Sequence, residues 1–223
     1  MQPPGSPAEP PRRTLAALGL SPRKSLGQNF LADPNVARKI VGLARKFPPP
    51  FLEIGPGLGA LTSPLAEAGA PVVAVELDRG LAAHLRDRFA GGSVEIVEAD
   101  FLKIPAQEWR RRFPSGATAL GNLPYAISSP VVLRLIELRD RFPRAVLMLQ
   151  REVVDRLCAG PGGKEYGILS VYLGVLAETR KEFVVRRACF HPAPDVDSAV
   201  MSVRFIGDYP EALVGALRTV VRA

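Results

Sequence analysis

Phe51-Leu52-Glu53-Ile54-Gly55-Pro56-Gly57-Leu58-Gly59 sets a short apolar run directly against a glycine-rich turn. The run has the length and composition of a buried strand, and residues 59–68 behind it read as a helix, so the turn joins strand to helix. Glycines in such a turn let a ligand approach the backbone and reach the helix N-terminus. Taken alone the pattern is equally that of a plain tight turn. Its surroundings add to it: Glu76 ends the next strand-like run, 21 residues after Gly55, where a carboxylate accepts both hydroxyls of a ribose. Gly55-x-Gly57-x-x-Ala60 also satisfies the dinucleotide form of the pattern. At this segment a nicotinamide cofactor and another adenosine-bearing ligand are both compatible.

Working outward, strand-like runs at 51–54, 72–76, 94–97, 118–120 and 145–149 alternate with helix-like stretches at 59–68, 81–89, 106–113 and 129–138. That alternation predicts an α/β fold, a mostly parallel sheet with helices on both faces. Residues 152–157 and 168–177 read as further helices. The closely spaced runs at 182–187 and 199–205 complete seven strands and predict an antiparallel edge pair. Upstream, Asp33-Pro34 reads as an N-cap with proline at the first helical position, opening a helix that ends near Phe47. Six prolines fall within the first 22 residues, and residues 1–24 are expected to be a flexible, proline-rich tail.

Composition narrows the function. No uncharged apolar stretch of the 223 residues approaches the ~18 residues of a membrane span, and the head has no signal-peptide core. A cytoplasmic protein that engages no membrane is expected. Cys158 and Cys189 lie far from any CxxC spacing, and with His84 and His191 they suggest neither a metal site nor a triad, so no metal is expected. Hydrolase chemistry drops out. The 29 basic residues against 22 acidic ones, net +7, favour a polyanionic partner. Candidate contacts are Arg23-Lys24, Arg110-Arg111-Arg112, residues 139–144, Arg151, Arg180-Lys181 and Arg186-Arg187. Arginine outnumbers lysine 23 to 6, which suits phosphate and stacking contacts.

Two further segments bear on chemistry. Asp100 follows the third strand, placed to accept from the exocyclic amine of a bound adenine, though a helix cap would use the same residue. Gly121-Asn122-Leu123-Pro124-Tyr125 lies just past the fourth strand, at the carboxyl edge where open α/β sheets hold ligands. An amide, a rigid proline and an aromatic ring make physical sense for an exocyclic amine on a planar base. The side-chain oxygen of Asn122 and the backbone carbonyl of Leu123 would accept the two amine hydrogens while Tyr125 stacks on the ring. The lone pair of such an amine is delocalised into the base. Acceptors favour a pyramidal nitrogen as bonding to carbon develops, which is stabilisation aimed at the transition state. A sulfonium methyl donor would supply the electrophile, held in line with that nitrogen.

With these residues the chain, from Ser25 to Phe205, resembles the small-subunit ribosomal RNA adenine N6-dimethyltransferases, relatives of the Erm methyltransferases. Ser25-Leu26-Gly27-Gln28-Asn29-Phe30-Leu31 matches the motif that wraps S-adenosylmethionine in that family. Cys189-Phe190-His191-Pro192-Ala193-Pro194-Asp195-Val196-Asp197-Ser198-Ala199 matches another, whose Phe190 sandwiches the target base opposite Tyr125. The resemblance implies a Rossmann-like class I methyltransferase domain over residues 25–207. Residues 208–223 would then be the start of a C-terminal helical domain that is largely missing. It implies donor contacts from Gln28, Asn29, Leu31, Gly55, Gly57, Gly59, Glu76, Leu77, Asp100 and Asn122, and target-base contacts from Asn122, Leu123, Pro124, Tyr125 and Phe190. It further implies a monomer acting on 16S rRNA in a small ribosomal subunit or its precursor, dimethylating two adjacent adenines of the 3′-terminal hairpin. A 23S-directed enzyme of the Erm type, or an RNA-binding assembly or transcription factor with the same fold and no turnover, are the alternatives.

Overall fold

The computed structural model describes residues 9–160 and 167–206. Its strands are β1 (Phe30–Leu31), β2 (Phe51–Ile54), β3 (Val72–Glu76), β4 (Val94–Glu98), β5 (Thr118–Asn122), β6 (Arg144–Gln150), β7 (Ala177–Val185), β8 (Phe190–His191) and β9 (Ser198–Phe205). Its helices are α1 (Pro11–Ala17), α2 (Pro34–Ala44), α3 (Thr62–Glu67), α4 (Arg79–Arg88), α5 (Ala106–Arg112), α6 (Ser128–Glu137), α7 (Arg151–Leu157) and α8 (Ile168–Leu176). Seven strands form one sheet in the order β4-β3-β2-β5-β6-β9-β7, and β1 pairs with β8 apart from it. From β4 to β6 every pairing is parallel, while β9 runs antiparallel to both β6 and β7. The mostly parallel sheet and the antiparallel pair at its edge are thus as expected.

Side-chain alternation divides the core into two faces. Leu52, Ala119, Leu147 and Leu149 join one cluster with Trp109, Phe113, Val131 and Leu135. Their strand neighbours Phe51, Leu120, Val146 and Met148 join the other with Ile40, Val41, Leu61 and Leu65. Helices α5 and α6 therefore cover one side and α2 and α3 the opposite side, as a sheet buried on both faces requires. Trp109 has no exposed surface and packs at centroid distances of 5.6, 6.1 and 5.6 Å on Phe101, Phe113 and Phe142. Asp33 caps α2 by accepting from the Asn35 and Val36 N–H groups at 2.8 and 3.4 Å. Pro34 stands at the first helical position, where its missing N–H costs nothing.

Two boundaries differ from the sequence reading. Strand β7 begins at Ala177, five residues before the expected start, because Ala177 pairs with Phe205 and Glu178 with Arg204 along a long antiparallel ladder. The charged run Glu178-Thr179-Arg180-Lys181-Glu182 hides that strand. The expectation of a flexible tail over residues 1–24 also needs correcting, since Pro11–Ala17 is helical and Leu15 is buried against Phe30, Leu58 and Leu81. Proline composition describes the head poorly there, because Pro11 occupies the first helical position instead of breaking a helix. The expected C-terminal helix at 208–223 lies outside the described residues. No described helix is long and apolar enough to cross a membrane.

Candidate active site

Strand β2 lies between β3 and β5, and chain order reverses there, so a crevice opens at the carboxyl ends of β2 and β5. The glycine turn leaves β2 at that point and the Asn122 segment leaves β5. An open cleft of roughly 1300 Å³, solvent at its mouth included, runs between them. Gly57 shows why the turn needs glycine. Its φ is +59°, and a Cβ there would lie 3.1 Å from the ring of Phe30. Gly55 and Gly57 line the cleft, whereas Gly59 does not. A Cβ on Gly59 would meet Leu85 at 3.1 Å and Phe89 at 3.3 Å, so Gly59 lets the turn pack on α4 instead of facing a ligand.

Glu76, 6 % exposed at the end of β3, accepts from the Gly57 N–H at 3.0 Å through one oxygen and from the Asp78 N–H at 2.8 Å through the other. Burial pushes its carboxyl upward, and the Asp78 and Gly57 amides pull it back towards the anion. The carboxylate is thereby fixed in the cleft wall with lone pairs left for hydroxyl donors. Beside it Leu77 is 53 % exposed, an apolar side chain held open at the cleft. Asp100 lines the same cleft and also caps the short turn Phe101–Lys103, accepting from the Leu102 N–H at 3.0 Å. Capping occupies one oxygen of Asp100, and the other lies 3.6 Å from the Lys103 ammonium.

At the end of β5, Gly121 brings the strand hard against β2, where a Cβ would sit 2.6 Å from the Ile54 carbonyl. The next residue, Asn122, donates its side-chain amide to the backbone carbonyl of Asn29 at 2.9 Å. A carbonyl only accepts, so this bond settles which end of the amide is which and leaves Oδ1 as the acceptor end. Leu123 is buried, and its N–H bonds to Met148 on β6. Pro124 leads into the tight turn Tyr125–Ile127, which presents Tyr125 half-buried at the cleft.

The remaining wall comes from far away in sequence. In the β1–β8 pair Leu31 stands opposite Phe190, and the Ala32 N–H bonds to the Cys189 carbonyl at 2.8 Å. Gln28, Asn29 and Leu31 therefore reach the same cleft as Phe190, which is 6 % exposed. Gln28 accepts from the Arg23 N–H at 2.8 Å, which folds the approach to this segment back on itself. Every site residue expected from the sequence except Gly59 borders this one cleft.

Three neighbours were not singled out by the sequence. Glu53 is 1 % exposed and lines the cleft floor, where burial pushes its carboxyl up to about 8 against the lowering effect of a 2.7 Å bond from Thr62. Asp78 caps α4 through the Gly80 and Leu81 N–H groups and takes Arg23 at 3.2 Å. Phe30 packs over Gly57. An acidic residue inside an apolar strand, and Asp78 before a helix, were the available signals for the first two.

A family model described as ribosomal RNA adenine dimethylase matches residues 19–223. The chain belongs to that family. It is similar to the ribosomal RNA small subunit methyltransferase A of Geobacter sulfurreducens, 50 % identical over 186 residues, covering 82 % of this chain and 67 % of the relative. The protein of that name from Desulfotalea psychrophila is 40 % identical over 216 residues, covering 95 % and 73 %. The chain thus spans about two thirds to three quarters of the length of these relatives. Among solved structures, a dimethyladenosine transferase from Plasmodium falciparum superposes with a TM-score of 0.69 at 31 % identity, covering 79 % of this chain and 63 % of that one. The 23S rRNA methyltransferase ErmE gives 0.72 at 32 %, covering 86 % and 77 %. With its mixed seven-stranded sheet, the family member described here has a Rossmann-like methyltransferase fold.

Proposed function

We propose that this chain transfers methyl groups from S-adenosylmethionine to adenine N6 in small-subunit ribosomal RNA, making dimethyladenosine at two adjacent adenines of the 16S 3′-terminal hairpin. The observation that carries the reading is the orientation of Asn122, whose amide nitrogen is spent on Asn29 so that its oxygen is the acceptor end beside the cleft.

The cleft suits the donor. Gly57 keeps the space over the turn free of a Cβ, Glu76 offers a fixed buried carboxylate for ribose hydroxyls, and Leu77 and Asp100 offer an apolar face and an acceptor for adenine. When bound, S-adenosylmethionine supplies a methyl carbon made electrophilic by its sulfonium. The chain's residues do the rest. Asn122 Oδ1 and the Leu123 carbonyl accept the two hydrogens of the target amine, favouring the pyramidal nitrogen that forms as its lone pair leaves the ring. Pro124 stiffens the segment, and Tyr125 and Phe190 take the two faces of the base. No residue has to act as base, because the alkylated nitrogen is acidic enough to lose its proton to water. Identities of 50 % and 40 % to proteins named for the small subunit favour the small-subunit substrate over the 23S one.

The test is labelled-methyl transfer to undermethylated 30S particles, with mapping of the modified nucleotide. Asn122→Ala is expected to lower transfer by roughly 10²-fold or more, the scale seen when a transition-state hydrogen-bond partner is removed. Donor binding by calorimetry should be weakened but measurable. Unchanged turnover would defeat the role given to Asn122, and label appearing in 23S rRNA alone would move the protein to the Erm branch.

A further inference from the structure

Stacking uses the face of an aromatic ring, and phenylalanine stacks as well as tyrosine, so the hydroxyl of Tyr125 needs a separate account. Its oxygen lies 3.2 Å from the hydroxyl of Ser198, 73 residues away. Ser198 is 1 % exposed and is the first residue of β9, registered with Gln150 of β6 on one side and Val185 of β7 on the other. The residue before it is pinned as well. The Asp197 carbonyl accepts from the Arg151 N–H, and its carboxylate accepts from the Arg187 N–H, both at 3.0 Å. Tyr125, by contrast, sits on a three-residue turn beside the exposed Ala126.

We infer that Ser198 is a positioning residue for methyl transfer: it tethers the ring of Tyr125, so that the loop from Phe190 to Ser198 supplies one ring of the base clamp and aims the other. This rests on the functional reading above. The two ends of the loop are held independently, Phe190 by its pairing with Leu31 and Ser198 by the sheet. A single nine-residue segment, held by β8 at one end and by the main sheet at the other, thereby sets the separation and tilt of both rings before any base arrives, which is the preorganisation a clamp requires. Burial holds the phenol above its ordinary value and so keeps it protonated, able to donate or accept in this bond.

Three variants test the tether: Ser198→Ala, Tyr125→Phe, which removes the same bond from the other side, and the double substitution. Single-turnover transfer at saturating donor and 30S substrate should fall by roughly three- to tenfold in each single variant, the scale of one neutral hydrogen bond. The double variant should be no slower than either single one, while donor affinity by calorimetry is unchanged in all three. Ser198→Thr, which keeps the hydroxyl, should recover most of the rate. Losses that multiply in the double variant, or wild-type rates in Ser198→Ala, would overturn the inference while the functional reading stands. A wild-type chain that binds donor and methylates no adenine would overturn both.

Discussion

A carboxyl group shut away from water resists ionisation, and Glu53 is such a group. Burial dominates its environment, and neighbouring Glu76 adds repulsion, so it is pushed up to about 8 despite the Thr62 hydroxyl that favours the anion. Its folded value exceeds its unfolded one, so the folded state holds the extra proton. The associated stability is complete below about pH 4.5 and is lost as pH rises through about 8. Unfolding free energy should therefore decline between pH 6 and 9 by an amount on the order of a few kcal/mol. Glu53→Gln, uncharged and of the same shape, should flatten that decline and melt above wild type at pH 9, as scanning calorimetry at the two pH values would record. An equal decline in the variant would assign the pH dependence to other groups. Residues such as Asn122 and Glu76 were legible in the sequence because their chemistry is stated by residue type and spacing. Glu53 was quoted in the decisive stretch but not singled out, since its role comes from a burial that only the assembled sheet creates.

The N-terminal segment makes the corresponding point for elements. Helix α1 has seven residues, too few to show an amphipathic period, and its setting is rich in proline, so the sequence reads as a tail. Tertiary contacts override that reading: Leu15 is 4 % exposed, Leu20 fills the space over Gly80, and Arg23 pairs at 3.2 Å with Asp78, itself 5 % exposed. These contacts bring the chain into Gly27–Leu31 already held against the cleft, with Phe30 over Gly57. The β-α alternation was readable because buried parallel strands are continuous apolar runs. By contrast α1 and the charged first half of β7 were not, because partners distant in sequence define them. Leu15→Ala is expected to loosen this docking and to weaken donor binding about tenfold, a modest share of the ~2–5 kcal/mol that a buried Leu→Ala change costs. Hydrogen exchange should quicken at Phe30 and Leu31 while the strands β2 and β5 keep their protection. Wild-type donor affinity in Leu15→Ala would show that the segment docks without serving the cleft.

Across the whole molecule the net charge of +7 is distributed unevenly in its effect. Several arginines expected to meet RNA are engaged with acids instead: Arg110 with Asp140, Arg111 with Glu108, Arg112 with Glu95 and Glu108, and Arg151 with Asp155. Arg38, Arg45, Lys46, Arg186 and Arg187 have no acidic partner among the described residues. Arg38, Arg186 and Arg187 belong to one side of the fold, whereas Arg45 and Lys46 follow α2 and lead to the amino end of β2, the edge opposite the cleft. Lys39 of α2 lies 5.7 Å from the Phe183 ring on β7, the Ala32 N–H before α2 bonds to Cys189, and the turn Arg187–Cys189 leads straight to Phe190. Arg38, Arg186 and Arg187 thus lie on the side of the ring assigned to the target base, where phosphates beside a splayed adenine would pass. Each phosphate neutralised there releases counterions and contributes about −0.7 to −0.9 to the slope of log affinity against log salt. Arg38→Ala, Arg186→Ala and Arg187→Ala should each make that slope shallower by about one such contribution and weaken rRNA binding, with donor affinity unchanged. Arg111→Ala, whose guanidinium already grips Glu108, should leave the slope as it is. Anisotropy titrations of an rRNA hairpin at several salt concentrations would show this ordering. If Arg111→Ala instead proved as costly as Arg187→Ala, the RNA would be passing over the α5 side of the sheet, and the paired arginines there would have to exchange their carboxylates for phosphates on binding.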